Sequence, residues 1–149
     1  MNENKRTRVD VLLVEDNPHD AELTIRVFKK HNLAGRLFHV KDGAEALDFL
    51  LARDRQDGPE ADAPPRVVLL DLKLPKVDGL EVLRIMKADE RTRTIPVVVV
   101  TSSAEDPDIE AAYRLGANSY VIKPVQFEAF MEVMRRLGIY WLTANRPLR

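Results

Sequence analysis

The feature that most constrains the fold is a short apolar run that ends in an acid. Val67–Leu70 is followed at once by Asp71 and then by Leu72-Lys73-Leu74-Pro75. An uninterrupted apolar run of this length is typical of a strand buried on both faces, as in a parallel sheet covered by helices. An acid after such a strand lies at the carboxyl edge of the sheet, where open α/β folds bind ligands. We therefore expect Asp71 to be the centre of the functional site.

Apolar strand patterns alternate with helical patterns along the rest of the chain. The predicted strands are residues 9–14, 37–40, 67–70, 95–100 and 119–122, and the predicted helices are residues 18–32, 44–51, 80–86, 106–115 and 126–142. Asn17 and Asp106 each precede a proline and are predicted to cap a helix. Residues 53–65 are rich in charge and proline and predict an exposed loop. This order of elements predicts an α/β fold with a doubly wound, five-stranded parallel sheet.

Length, charge and cysteine content narrow the class of protein. The 149 residues predict one domain, with a core of about residues 9–142 and a tail of residues 143–149. The net charge of −1 gives no sign of a nucleic acid or membrane partner, and the absence of cysteine excludes disulfides and thiolate metal sites. The N-terminus lacks the apolar region of a signal peptide, and no run is long enough to span a bilayer. We expect a soluble cytoplasmic protein.

Polar residues follow four of the predicted strands. Glu15-Asp16 follows the first strand, Asp71 the third, Thr101 the fourth and Lys123 the fifth. In a parallel sheet these positions meet at one edge, where the carboxylates would repel one another unless a cation intervened. Mg²⁺ binds carboxylates together with water and phosphate. With a lysine and a hydroxyl beside them, the residues predict a site that holds a phosphoryl group on Asp71.

In these motifs the chain resembles the receiver domains of two-component signalling, over nearly its whole length. The matching pieces are Glu15-Asp16-Asn17-Pro18, Asp71-Leu72-Lys73-Leu74-Pro75 with Asp78-Gly79, Thr101-Ser102 and Lys123-Pro124. The resemblance implies a flavodoxin-like receiver fold with strand order 2-1-3-4-5. It also implies a response regulator that accepts a phosphoryl group from a histidine kinase and changes conformation to pass on the signal.

The resemblance assigns a role to each site residue. It makes Asp71 the phosphoacceptor, and it makes Glu15, Asp16, Asp71 and the backbone carbonyl of Lys73 the Mg²⁺ site. Glu15 replaces the aspartate that is commoner in the family, and we expect it to reach the metal through water.

On phosphorylation, the resemblance has Thr101 bond the phosphoryl oxygens and Lys123 pair with them. Tyr120 matches the aromatic switch position, although an alternating strand often presents one tyrosine to solvent. In the family the bond between Lys123 and Pro124 is cis.

The chain is further similar to the small response regulators that pair with phytochrome-type histidine kinases. The similarity rests on the long loop before the third strand, on the ending at residues 139–147, and on the expectation that no output domain follows. Members of that group are often dimers. A second apolar set on the last helix and tail, either an extended core contact or a partner surface, predicts the homodimer interface; it consists of Val133, Leu137, Tyr140 and Trp141.

Two other functions compete with a phosphorylation-controlled switch. A phosphohydrolase of the haloacid dehalogenase type carries a second aspartate two residues after its nucleophile, where this chain has Lys73. A phosphorylation-independent pseudo-receiver, which only binds partners, would not need the acceptor, acidic pair, threonine and lysine that are all present. We therefore expect a switch that promotes its own phosphorylation and dephosphorylation and is not an enzyme acting on an external metabolite.

Overall fold

A computed structural model describes residues 8–33, 35–52 and 63–148. The strands are β1 (Val11–Val14), β2 (Leu37–Val40), β3 (Val67–Leu70), β4 (Val97–Thr101) and β5 (Ser119–Ile122). The helices are α1 (Pro18–Lys30), α2 (Gly43–Leu51), α3 (Gly79–Ala88), α4 (Asp106–Leu115) and α5 (Phe127–Ile139), and a π-helical turn (Tyr140–Ala144) follows α5.

The five strands form one parallel sheet in the order β2-β1-β3-β4-β5, which confirms the predicted fold. Every residue of β1, β3 and β4 is buried, as expected for strands covered on both faces. Alternate residues of β1 point into two separate cores. Leu12 packs into the core on the side of α2, α3 and α4, whereas Leu13 packs into the core formed with α1 and α5.

Three predictions, at β4, α4 and α5, differ from the structure for an evident local reason. β4 begins at Val97 and not at Ile95, because the N–H of Ile95 closes a turn with the carbonyl of Thr92 (3.1 Å). Asp106 is the first residue of α4 and does not cap it; Glu105 occupies the cap position. α5 ends at Ile139, and the chain continues as a wider π-helical turn closed by a hydrogen bond from Asn145 N–H to the Tyr140 carbonyl (2.7 Å).

The remaining element predictions hold with small shifts. β1 begins at Val11, two residues later than predicted, and Asn17 caps α1 as expected by accepting hydrogen bonds from the N–H groups of His19 and Asp20. Most of the predicted loop at residues 53–65 lies outside the described residues. Within the described ranges, no helix is both long enough and apolar enough to cross a lipid bilayer.

Candidate functional site

The carboxyl edge of the sheet gathers the polar residues that follow β1, β3, β4 and β5. β1 and β3 are adjacent and in register, so Glu15 and Asp71 leave the sheet side by side. Thr101 is the last residue of β4 and is fully buried. Lys123 follows β5, and its backbone N–H donates to the carbonyl of Thr101 (2.7 Å). The parallel topology therefore joins predicted site residues that lie far apart in the sequence.

Three of the acids form a group suited to a divalent cation. Glu15, Asp16 and Asp71 each offer one carboxylate oxygen, and these oxygens lie within 4.8 Å of one another. Glu15 and Asp71 are buried, whereas Asp16 is exposed. Oxygen ligands of this kind fit a hard cation such as Mg²⁺, Mn²⁺ or Ca²⁺, and the exposed side leaves room for water in the coordination sphere. The residues present thus fit the metal that the sequence predicts.

The ammonium group of Lys123 lies among three carboxylates. Its Nζ atom is 2.8 Å from Glu15 Oε1, 3.0 Å from Asp20 Oδ2 and 3.0 Å from Asp71 Oδ2. The contacts to Glu15 and Asp71 join residues that the sequence analysis assigned to the site. Asp20, in the first turn of α1, was not among them.

Both Glu15 and Lys123 hold their protons more tightly than usual. Burial raises the pKa of Glu15 to about 7, and the charge of Asp71 acts in the same direction, against the hydrogen bonds from Lys123 and from the N–H of Asn17. Burial lowers the pKa of Lys123, but its hydrogen bond to Glu15 and the charges of Glu15 and Asp71 outweigh this effect and raise the pKa. Proton retention at both groups is expected where carboxylates outnumber cations.

The backbone beyond β3 fixes the orientation of the Asp71 carboxylate. Its Oδ1 atom accepts hydrogen bonds from the N–H groups of Leu72 (2.7 Å) and Lys73 (3.4 Å), while Oδ2 faces Lys123. Gly79, at the start of α3, packs directly against this turn. A Cβ atom at Gly79 would lie 2.3 Å from the Asp71 carbonyl oxygen, so only glycine fits without displacing the backbone. The metal-binding role of the Lys73 carbonyl stays a prediction.

Ser103 connects Thr101 to Tyr120 and to α4. The N–H of Ser103 points at Thr101 Oγ1 (3.4 Å), and its carbonyl accepts a hydrogen bond from the hydroxyl of Tyr120 (3.0 Å). The Ser103 hydroxyl donates to Asp108 Oδ2 (2.6 Å) and accepts from the N–H of Glu105 (3.3 Å). The Tyr120 ring is half-buried and packs against the core, so this tyrosine is not simply presented to solvent.

The peptide bond between Lys123 and Pro124 is trans, contrary to the cis bond that the resemblance implied. The trans isomer is the lower in energy for most prolines. The position of the Lys123 side chain is instead fixed by its three carboxylate partners.

The residues predicted for a dimer interface lie together along α5 and the π-helical turn. Val133, Leu137 and Trp141 are half-buried against the core beneath α1 and α5, so part of this set contributes to the fold of the single chain. The same residues and Tyr140 also line a groove of about 490 Å³. Tyr140 is half-exposed, with its ring in edge-to-face contact with Trp141 at 5.0 Å between ring centres.

Three residues of the site were missed in the sequence: Asp20, Ser103 and Gly79. Asp20 had a usable signal, since it is an acid in the first turn of a helix that begins directly after the acidic pair. Ser103 follows Thr101 by two residues, and Gly79 was quoted with Asp78 among the motifs of the resemblance, without the packing role that the structure gives it.

Comparison with known proteins gives a consistent result. A family model described as "Response regulator receiver domain" matches residues 11–135. FilR2 of Methanothrix harundinacea (strain 6Ac), named a probable methanogenesis regulatory protein, is 47% identical over 136 residues, which cover 91% of this chain and 85% of FilR2.

Solved structures of similar proteins share the architecture. The Mn²⁺-bound form of the response regulator Rcp1 matches with a TM-score of 0.83 and 33% identity, covering 96% of this chain and 100% of that one. The phosphorylated cyanobacterial phytochrome response regulator RcpA matches with the same TM-score, identity and coverage.

Proposed function

The chain belongs to the response regulator receiver domain family, and we propose that it accepts a phosphoryl group on Asp71 from the phosphohistidine of a sensor histidine kinase. The observation that carries the proposal is the 3.0 Å contact between Asp71 Oδ2 and Lys123 Nζ, beside a carboxylate group suited to a divalent cation. A buried carboxylate with a lysine on one side and ligands for a divalent cation on the other is arranged to take up a phosphoryl group, because phosphoryl transfer depends on positioning and charge neutralisation.

In the proposed reaction, Asp71 Oδ2 attacks the phosphorus atom of the phosphohistidine. A new O–P bond forms and the P–N bond breaks, with its electron pair remaining on the imidazole nitrogen. The second ring nitrogen of the phosphohistidine carries a proton, so the products are an aspartyl phosphate and a neutral histidine. We assign the attack to Oδ2 because Oδ1 is held by the backbone N–H groups of Leu72 and Lys73, whereas Lys123, the partner of Oδ2, can turn to a phosphoryl oxygen. Lys123 neutralises negative charge on the transferred oxygens.

Mg²⁺ is the cation we propose for the site, with Glu15, Asp16, Asp71 and the backbone carbonyl of Lys73 to hold it. When bound, it supplies positive charge that offsets the carboxylates and the phosphoryl oxygens. The three carboxylates would hold the cation beside the acceptor oxygen, and the site is open to solvent on the side of Asp16.

We propose that the conformational response begins at Thr101. Its hydroxyl bonds a phosphoryl oxygen, and the change is passed to Tyr120 and α4 through the contacts of Ser103. The completeness of this set supports a phosphorylation-controlled switch over an interaction module that works without phosphorylation. Hydrolysis of the aspartyl phosphate at the same site would reset the switch, so the protein promotes its own phosphorylation and dephosphorylation and turns over no external metabolite.

We propose a phytochrome-type histidine kinase as the partner, in the cytoplasm, with neither nucleic acid nor membrane as a direct partner. Support comes from the similarity to RcpA over nearly the whole chain and from the balanced net charge of −1.

We further propose a homodimer formed through Val133, Leu137, Tyr140 and Trp141. Their groove is continuous with the exposed ring of Tyr140 and is large enough to receive side chains from a second copy. Sedimentation velocity with Trp141→Ala tests this interface, because loss of the indole ring should convert dimer to monomer. Phe38→Ala, at an exposed aromatic on the edge strand β2, is the matched control. An unchanged mass in Trp141→Ala would show that the interface lies elsewhere.

The phosphoacceptor function is tested by incubating the full chain with acetyl phosphate or phosphoramidate and measuring intact mass. We expect the gain of one phosphoryl group with Mg²⁺, no gain with EDTA and no gain in Asp71→Asn. Beryllofluoride, a phosphoryl mimic, should bind under the same conditions. Absence of any gain in the wild-type protein, with either donor, would favour the phosphorylation-independent interaction module.

A further inference from the structure

We propose that Asp20 is a positioning residue for phosphoryl transfer, which holds the Lys123 ammonium group beside Asp71. The inference rests on the proposed function, since the reaction served is phosphorylation of Asp71. It assigns a role in the site to a residue outside the predicted acidic pair, on a different element from the other two partners of Lys123.

The number of hydrogen-bond donors on Lys123 matches the number of carboxylates around it. A lysine ammonium has three N–H groups and no acceptor. Glu15, Asp20 and Asp71 each place one oxygen at 2.8–3.0 Å from Nζ. The Lys123 side chain is 9% exposed, so the three carboxylates and not bulk water are the partners of its ammonium group in the folded protein. Each carboxylate therefore orients one N–H group of the ammonium, and Asp20 orients the N–H group that points toward α1.

Asp20 is itself held in place by the start of α1. Its N–H donates to the side chain of Asn17 (3.1 Å), which caps the helix, and its carbonyl accepts a hydrogen bond from the hydroxyl of Thr24 (2.9 Å). The Asp20 side chain is 23% exposed, the most open of the three partners of Lys123. It also borders a pocket of about 230 Å³ that is lined by Ser102, Lys123 and Phe127 as well. Asp20 thus lies between the ammonium group and solvent.

The role of Asp20 becomes decisive once Asp71 is modified. When Asp71 Oδ2 forms its bond to phosphorus, that oxygen loses its negative charge, and the N–H group that pointed at it must turn to a phosphoryl oxygen. Glu15 and Asp20 keep the other two N–H groups throughout this exchange. Without Asp20, one N–H would lose its partner, and the ammonium group would rotate and shift away from the line between Asp71 and the incoming phosphorus.

The test compares Asp20→Asn, Asp20→Ala and Asp20→Glu with the wild-type full chain. The first readout is the NMR signal of the Lys123 ammonium protons in protein labelled with ¹⁵N-lysine, assigned through its loss in Lys123→Arg. The second is the rate of phosphorylation by phosphoramidate in saturating Mg²⁺, and the third is the dissociation constant for Mg²⁺. Glu22→Gln is the matched control, because Glu22 is an exposed acid of the same helix that pairs with Arg26.

We expect Asp20→Asn and Asp20→Ala to exchange the Lys123 ammonium protons at least tenfold faster and to be phosphorylated about tenfold more slowly, the effect typical of losing one charge-assisted hydrogen bond. The Mg²⁺ dissociation constant should change less than the rate does, because the cation group consists of Glu15, Asp16 and Asp71. Asp20→Glu retains the carboxylate and should recover part of both losses. Glu22→Gln should match the wild type.

A wild-type ammonium signal and a wild-type rate in Asp20→Asn would overturn the assignment. So would equal losses in Asp20→Asn and Glu22→Gln, which would reveal a general effect of charge on α1. If the wild-type protein takes up no phosphoryl group, the proposed function fails, and the ammonium signal alone still decides whether Asp20 holds Lys123.

Discussion

Gly79 offers a sharp test of how closely the phosphoacceptor loop is fitted to its surroundings. In Gly79→Ala the new Cβ atom would lie 2.3 Å from the Asp71 carbonyl oxygen and 2.5 Å from the Cα atom of Leu72. Because real Cβ atoms essentially never approach another heavy atom within 3.0 Å, the backbone must separate by about 0.7 Å. Both nearby atoms belong to the main chain, so no side-chain rotation relieves the contact.

The displacement should lower both the stability of the fold and the rate of phosphorylation. Overpacking costs about 1–3 kcal/mol, and the better helix propensity of alanine offsets up to about 1 kcal/mol of this. We therefore expect a net loss of about 0–3 kcal/mol in the free energy of unfolding. The N–H of Gly79 donates to the Leu72 carbonyl (2.8 Å), and the N–H of Leu72 orients the Asp71 carboxylate, so the shift reaches the acceptor. A misplacement approaching 1 Å lowers a rate by about tenfold to a hundredfold.

Phosphoramidate phosphorylation followed by intact mass, together with urea unfolding, measures both effects. Gly35→Ala is the control, because a Cβ atom at Gly35 meets no atom within 4 Å. It should have the wild-type rate and nearly the wild-type stability. If Gly79→Ala is phosphorylated at the wild-type rate, the close fit between α3 and the acceptor loop is not needed for the reaction, and our reasoning about this contact is wrong.

Three further predictions follow from the same site. At a Mg²⁺ concentration a hundredfold above the wild-type dissociation constant, Mg²⁺ should stabilise the wild-type fold by about 3 kcal/mol, as measured by thermal unfolding. An equal gain in Asp16→Asn at the same Mg²⁺ concentration would contradict the proposed ligand set. In EDTA, the contribution of Glu15 to the free energy of unfolding should fall by roughly 3 kcal/mol as the pH rises from about 4.5 to about 7. The folded pKa of about 7 exceeds the unfolded value, so this contribution is fully present only below the lower pH. Urea unfolding should show a weaker dependence of stability on pH in Glu15→Gln. Ser103→Ala removes the bond to Asp108, and hydrogen exchange at the start of α4 should become about fivefold to tenfold faster, as expected for one lost hydrogen bond, whereas unchanged exchange would rule out Ser103 as the connection.

The arrangement of the sheet and most of the site could be predicted because parallel topology determines where strand ends meet. Glu15, Asp71, Thr101 and Lys123 were identified without knowledge of any distance, since each follows a recognisable apolar run. Asp20 could not be found in this way. Its contribution depends on the direction in which the first turn of α1 faces, and an acid there is usually explained by the helix dipole alone.

The sequence pattern also gave no information about which elements contact one another. An apolar stripe on α5 reveals which residues seek burial but not what covers them, and Val133, Leu137 and Trp141 are partly covered by the chain's own core. The π-helical turn at Tyr140–Ala144 has the same residue pattern as the end of an ordinary helix, so the continuous helix predicted to residue 142 was wrong at its end. The requirement for glycine at position 79 likewise arises from a neighbouring turn.

Gly138 brings α5 unusually close to α1. A Cβ atom there would lie 2.9 Å from Leu33 and 3.1 Å from Phe28, so the two helices touch where a side chain would otherwise separate them. Both helices also begin at the phosphorylation site, α1 just after the acidic pair and α5 just after Lys123. The two packed helices therefore connect the phosphorylation site to the π-helical turn. With a rise of about 1.5 Å per residue, α5 places that turn roughly 20 Å from its own first residue, and a tilt of α5 by about 3° would move the turn by about 1 Å.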